Sequence, residues 1–299
     1  MQVLVTGGAG FVGSHLIHGL LAHYPGIRIV SVDNYFTGTE ANHADDERVT
    51  YLHDSTVNIA KVWANHGFGA LDAIFHLGEY SRIPQSFDEP DRVWEYNLHG
   101  TKEVVSLALE HGAKLVYAGS SSKFGNDGAD EHLNPYAWTK AKNVEFIRNY
   151  GTWYGLDHVI TYFYNVYGPG QIASGPYATV IGIFETEYAA GEPLTVVAPG
   201  TQTRDFTHVD DIVAGILVCF EKGSGDGYLL GYGQERSLIE VAEMFGGEYR
   251  VVPSTRRGER ERGEADTTRA RELGWTPTVD LADYIADRVR VIDAERARR

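Results

Sequence analysis

Residues 7–13 read Gly7-Gly8-Ala9-Gly10-Phe11-Val12-Gly13, and the surroundings of this stretch decide the fold. The apolar run 2–6 before it has the length of a strand, and the apolar-periodic run 11–24 after it has the period of a helix. A strand, a glycine turn and a helix in that order open a dinucleotide-binding unit. Three jobs there require glycine: a tight turn, a close backbone approach to a pyrophosphate, and a close helix–strand contact. Gly7, Gly10 and Gly13 have the spacing for them. The free N–H groups at the helix start, around Phe11 and Val12, favour an anion.

Working outward, residues 28–32 read as a second strand that ends at Asp33, twenty residues past Gly13. A carboxylate at that place can accept both ribose hydroxyls of a dinucleotide and repels a 2′-phosphate, so the expected cofactor is NAD rather than NADP. A turn aspartate that caps the following loop, which begins at Asn34, is the plainer alternative. A third strand, 49–53, ends at Asp54 and Ser55, which either reach the adenine or cap a helix. Strands 73–76 and 115–118 follow, separated by a helical pattern over 90–111 that contains Asn97, and a further helix 135–154 leads to a strand at 159–163. Strands alternating with helices predict an α/β fold with a doubly wound parallel sheet. The pattern changes at NVYGPGQ (165–171), where a smaller α/β lobe is expected to begin. The expected division is a nucleotide-binding domain over 1–165, rejoined by 208–226, and a substrate lobe formed by 166–207 and 227–299. The short strand 228–230 falls in that lobe. A small substrate is expected in the cleft between the two.

Composition narrows the partners. The 299 residues are 43% hydrophobic and carry 41 Asp and Glu against 26 Lys and Arg, a net charge of −15 that opposes binding to nucleic acid or an anionic membrane surface. An anionic ligand then needs locally placed cations. Cys219 is the only cysteine, so no intramolecular disulfide can form, and its apolar neighbours place it in the core. No charged leader is visible and no apolar run approaches the roughly 20 residues that span a bilayer, so a cytoplasmic protein is expected. No metal-binding ligand set is expected.

The chemistry is concentrated in PYAWTK (135–140), which puts Tyr136 and Lys140 four residues apart on one helix face. A tyrosine with its ordinary pKa of about 10 is a poor base, but an ammonium one turn away and a nicotinium ring nearby favour the phenolate. Tyr136 can then take a proton from a sugar hydroxyl as hydride leaves the same carbon. Ser120, at the end of the preceding strand, is placed to hydrogen-bond the reacting oxygen. Ser121 and Ser122 serve either the site or a polar turn.

These marks, together with HLGEYSRIPQS (76–86), Asn97 in NLHGT, YAWTK, NVYGPGQ, RDFTHVDD (204–211) and the late RRGE (256–259), resemble the nucleotide-sugar epimerase/dehydratase family of extended short-chain dehydrogenases/reductases. The resemblance covers nearly the whole chain. It implies a catalytic trio of Ser120, Tyr136 and Lys140, with Lys140 also on the nicotinamide ribose. Cofactor contacts are implied at Asn34, Leu77, Gly78, Asn97 and Tyr136. Asn165 and Glu259 are implied to touch the substrate, and Arg204 and Arg256 to clamp a nucleoside diphosphate. A homodimer through 90–111 and 135–154 is also implied.

Two departures from the family pattern bear on the reaction. Where two small residues usually follow the fourth strand, this chain has Gly78 and Glu79, and Tyr80, Ser81 and Arg82 continue the segment expected to face the sugar. Glu79 has four possible fates: Arg82, Lys140, solvent or substrate. Arg82 suits an anionic or strongly polar sugar unless it pairs with Glu79. Ser121 and Ser122 stand where the 4,6-dehydratases carry an Asp-Glu pair, and a glutamate typical of the decarboxylases is also absent there. The expectation is therefore an NAD-dependent epimerase that inverts C4 of a UDP-sugar through a 4-keto intermediate. A dehydratase, decarboxylase or reductase of the same family, or a silent binding protein, are the alternatives.

Overall fold

The computed structural model describes residues 1–254 and 263–298, the side chains of 125–130 excepted. The first half runs β1 (Gln2–Thr6), α1 (Phe11–His23), β2 (Arg28–Asp33), β3 (Val49–His53), α2 (Ile59–His66), β4 (Ala73–His76), α3 (Pro90–Val93), α4 (Gly100–His111), β5 (Lys114–Ser120), α5 (Pro135–Tyr154) and β6 (His158–Phe163). The second half continues with β7 (Val166–Tyr167), α6 (Val180–Ala190), β8 (Leu194–Val197), β9 (Thr203–Asp205), β10 (Thr207–His208), α7 (Val209–Lys222) and β11 (Gly225–Leu230). It ends with β12 (Glu235–Ser237), α8 (Leu238–Met244), β13 (Tyr249–Val252), α9 (Thr268–Glu272) and α10 (Leu281–Arg296).

Seven parallel strands form one sheet in the order β11-β6-β5-β4-β1-β2-β3. Successive residues of each central strand face opposite layers. Leu4, Ile74, Leu115 and Tyr117 therefore pack toward α2, α4 and α5, while Val3, Val5, Phe75 and Val116 pack toward α1 and α7. Both layers are closed to water, as a parallel sheet requires. Full burial of a Leu or Phe contributes roughly 1.5–3 kcal/mol, so these strand interiors hold the sheet and hence the ends that carry the site. Cys219 lies in the α1–α7 layer, fully buried.

A separate core, built on Phe184, Val241, Phe245 and Ile285, holds the smaller lobe together. The expected membership of strand 228–230 in that lobe is corrected: β11 pairs in parallel with β6 at the edge of the large sheet, and Tyr228 and Leu230 pack in the α1–α7 layer. The cause is α7, which returns to the sheet and delivers the next strand to the open edge beside β6. The helix expected over 90–111 is continuous but widens into a π-helix at Trp94–His99. The antiparallel pair of β9 with β12, which links the two pieces of the lobe, has too few residues to leave a periodic signal. Among the described residues, no helix is long and apolar enough to cross a membrane.

Candidate functional site

The sheet order reverses between β1 and β4, and ligands of such sheets sit outside the strand ends at that point. There a cavity of about 610 Å³ opens and extends into the lobe. Its floor is backbone. Gly7 has φ +74°, and a Cβ on it would stand 2.8 Å from the Gly78 Cα; a Cβ on Gly13 would stand 2.0 Å from the Gly7 carbonyl oxygen. No side chain fits at either place. Gly10 precedes α1 without a side-chain cap, so the first N–H groups of the helix are left for an anion.

Gly7, Gly10, Phe11, Val12, Gly13, Asp33, Asn34, Asp54, Leu77 and Gly78 all line this end of the cavity. Asp33 accepts from the backbone N–H of Ala9 (2.9 Å) and of Tyr35 (2.8 Å). Burial pushes its carboxyl above the ordinary value, and those two N–H groups oppose the shift. Asn34 accepts from the Phe36 N–H at 3.0 Å. Asp54 accepts from Ser55 N–H (2.7 Å) and Asn58 (2.8 Å), so it caps its own turn while facing the cavity. Ser55 does not line the wall; its neighbour Thr56 does.

Ser120, Tyr136 and Lys140 meet on the opposite wall, and Ser121 and Ser122 flank them. Helix α5 starts with Asn134 accepting from the Ala137 N–H (2.7 Å) and Pro135 in the first turn, which fixes where Tyr136 enters the cavity. Ser120 Oγ donates to Ser122 Oγ at 3.1 Å and accepts from the Ser122 N–H at 3.2 Å. Lys140 Nζ donates to the Ala118 carbonyl and to Glu79 Oε2, and lies 4.5 Å from the Tyr117 ring centroid.

Of the four fates open to Glu79, the structure has the pair with Lys140. The remaining oxygen, Oε1, accepts from Thr101 (2.7 Å), Asn143 (2.7 Å) and Tyr117 (3.1 Å), and the side chain is 2% exposed. Glu79 lines the cavity, but its carboxylate is turned onto protein donors, which corrects its expected contact with the sugar. Tyr80 is corrected as well. It does not line the cavity: its ring packs on Phe36 and its hydroxyl donates to Glu89 at 2.7 Å. Asn97 is fully buried behind the wall, accepting from Tyr80 N–H (2.7 Å) and donating to Thr139 (2.9 Å), so the cofactor contact expected of it is corrected too. Both residues face inward because the π-helix and the 80–86 segment pack against α5 there. Ser81 and Arg82 line the cavity; Arg82 donates to the Tyr177 carbonyl (2.8 Å) and to Ser81, and burial pulls its pKa below the ordinary value.

In the lobe, Asn165 and Arg204 line the cavity beside Phe206, Thr195 and Leu238. Asn165 donates to the Asp205 carbonyl at 2.9 Å, and Arg204 donates to the Thr203 carbonyl at 2.8 Å. The Asp205 carboxylate is buried and takes the N–H groups of Tyr232 (2.8 Å), Gly233 (2.9 Å) and Ala265 (3.3 Å), yet burial still pushes it up to about 6. Arg256 and Glu259 lie outside the described residues. Thr6, Thr101, Tyr117 and Asn143 do not line the cavity but hold Glu79 and His76 from behind it, a role the sequence does not announce. Only Asn143, three residues past Lys140 on α5, had a local signal.

A sequence model of the NAD dependent epimerase/dehydratase family matches residues 3–231. A UDP-glucose 4-epimerase from Mycolicibacterium smegmatis is 32% identical, over 97% of this chain and 97% of its own. UDP-glucuronic acid decarboxylase 6 from Arabidopsis thaliana is 30% identical, over 95% of this chain and 86% of its own. The crystal structure of DesIV, a dTDP-glucose 4,6-dehydratase from Streptomyces venezuelae with NAD bound, superposes with a TM-score of 0.87 at 30% identity, over 99% of this chain and 98% of that one. The chain belongs to the NAD-dependent epimerase/dehydratase family. Its glycine floor, uncapped α1 start and Asp33 fit that cofactor, and the family's reactions include epimerisation, decarboxylation and dehydration.

Proposed function

We propose that the protein is an NAD-dependent nucleotide-sugar epimerase that inverts C4 of a UDP-sugar through a transient 4-keto intermediate. The observation that carries this is the character of the carboxylates lining the cavity. Among the described residues these are Asp33, Asp54, Glu79 and Glu187. The first two belong to the cofactor end, Glu79 is bound to Lys140, and Glu187 accepts from the Thr195 N–H at 2.7 Å in the lobe. Ser121 and Ser122 follow Ser120, so among the described residues no acid–base pair stands next to the trio to remove water.

Bound NAD supplies a reversible hydride acceptor. Tyr136 removes the proton of the 4-hydroxyl and returns it, and Ser120 holds the same oxygen by a hydrogen bond. Lys140 holds the ribose and favours the phenolate. Arg204 and Arg256 offer forked guanidinium groups to the diphosphate, and Asn165 adds an amide. Arg82, which has no carboxylate partner among the described residues, favours a sugar that is anionic or dense in hydroxyls. We also place the protein in the cytoplasm as a homodimer. Its contact would cover α4, α5 and the stacked Trp94 and Trp138, whose ring centroids are 5.6 Å apart; sedimentation at micromolar concentration tests this.

Tyr136→Phe is expected to lower kcat by about 10²–10⁴-fold, the range of a lost proton-transfer group, with NAD affinity retained. Near-normal turnover by that variant would overturn the mechanism.

A further inference from the structure

Glu79 is placed where the reaction's charges are set. Among the described residues it is the only carboxylate paired with Lys140. Every bond around it has one allowed direction. The Thr101 hydroxyl gives its single proton to Glu79 Oε1, so it accepts from His76 Nε2 at 2.9 Å. His76 is fully buried, and burial pushes it down to about 4, which keeps the imidazole neutral with its proton on Nε2. Its Nδ1 then accepts from the Thr6 hydroxyl at 2.7 Å, whose oxygen accepts from the N–H groups of Leu77 (3.2 Å) and Gly78 (3.0 Å). One unbroken chain of hydrogen bonds thus runs from the cofactor floor through His76 and Thr101 to Glu79 and Lys140. It ends on backbone N–H groups, so it holds positions rather than conducting protons.

We propose that Glu79 is a positioning residue for the reaction, anchoring the Lys140 ammonium from behind and offsetting its charge, so that the pair and not Lys140 alone governs when Tyr136 becomes a base. The proposal rests on Tyr136 being the proton acceptor. An unpaired ammonium one turn away stabilises a phenolate by direct attraction, whereas an ammonium held against a carboxylate acts as a dipole whose field falls off faster. The titratable and charged groups facing the pair are His76 from β4, Tyr117 from β5 and Tyr136 from α5, with Arg82 from the 80–86 segment. His76 is neutral and burial keeps Tyr117 protonated, so neither replaces the offset. Arg82 lies within electrostatic reach of Tyr136 and, as a guanidinium, remains a cation.

Tyrosinate absorbance, followed against pH in the NAD-loaded protein and differenced against Tyr136→Phe, reads Tyr136 without any turnover. Glu79→Gln, differenced against its own Tyr136→Phe counterpart, is expected to move the Tyr136 step down by about one pH unit, as removal of an adjacent charge does. The acidic limb of kcat/KM is expected to move by the same amount. Glu79→Asp keeps the charge, withdraws it by one methylene, and is expected to move the step in the same direction by less. If Glu79→Gln does not hold NAD, the Asp variant decides by the same criterion. A step that stays in place in the variant that folds overturns the proposal, even if turnover falls, because a purely structural Glu79 lowers activity equally at every pH. A wild-type difference with no Tyr136 step overturns both the proposal and the assignment of Tyr136 as the base.

Discussion

The two walls of the cavity are built by opposite means. The cofactor floor is made by removing side chains: Gly7, Gly13 and Gly78 let two strand ends and a helix start come within contact distance. The catalytic wall is made by gathering them. Glu79 takes bonds from Thr101 of α4, Tyr117 of β5, and Lys140 and Asn143 of α5. The first device is tolerant of everything except volume, because backbone N–H groups do the binding. The second is tolerant of nothing that leaves a buried charge alone, because each member satisfies another.

The sharpest way to break this contrast is to delete a charge from one wall and add a methyl to the other. Glu79→Ala leaves the Lys140 ammonium without its buried partner and is expected to cost about 3–5 kcal/mol in denaturant unfolding. A loss below about 1 kcal/mol would mean that the network contributes little to holding the wall. Gly13→Ala is expected to cost about 2 kcal/mol, as overpacking does, and to weaken NAD binding measured by calorimetry, with folding otherwise kept. Equal affinity would mean that the floor adjusts more freely than its contacts allow.

The smallest effect concerns Asp205, whose carboxylate joins β9 to the backbone of Tyr232, Gly233 and Ala265. Its folded-state pKa of about 6 lies above the ordinary carboxylate value, so the folded protein holds the proton more tightly than the unfolded chain. The stability this gives is fully present below about pH 4 and is lost as pH rises through about 6. Lowering the pH from 7 to 5 is therefore expected to raise the Tm of the wild type relative to Asp205→Asn, by on the order of a few degrees. Parallel pH dependences in the two proteins would contradict it.

Much of the cofactor wall is legible in the chain because it is local. The glycine spacing, the strand ahead of it and the strand that ends at Asp33 lie within 33 residues, and each has a period or a steric requirement of its own. Tyr136 and Lys140 are legible for the same reason, being one helical turn apart. The partner of Glu79 is not. Four fates stay open until the fold brings β4, β5, α4 and α5 together, since nothing in HLGEYSR says which of two cations lies within reach. Asn97 and Tyr80 mislead because a family resemblance carries over a residue's position and not the direction its side chain takes. Whether a side chain turns inward depends on the π-helix at Trp94–His99, for which periodicity has no signature. Strand β11 is misplaced because its short apolar run carries no record of which sheet edge it joins.

Epimerisation at C4 leaves both the cofactor and the sugar's composition unchanged. Proton NMR of the NAD-loaded protein with UDP-glucose and UDP-glucuronic acid, run beside a record of reduced-nicotinamide absorbance, tests it most directly. At least one of these sugars is expected to be converted to its C4 epimer with no lasting rise in absorbance, and Tyr136→Phe is expected to slow the conversion by about 10²–10⁴-fold. Release of carbon dioxide, loss of water from the sugar, or stoichiometric change in the nicotinamide would contradict it.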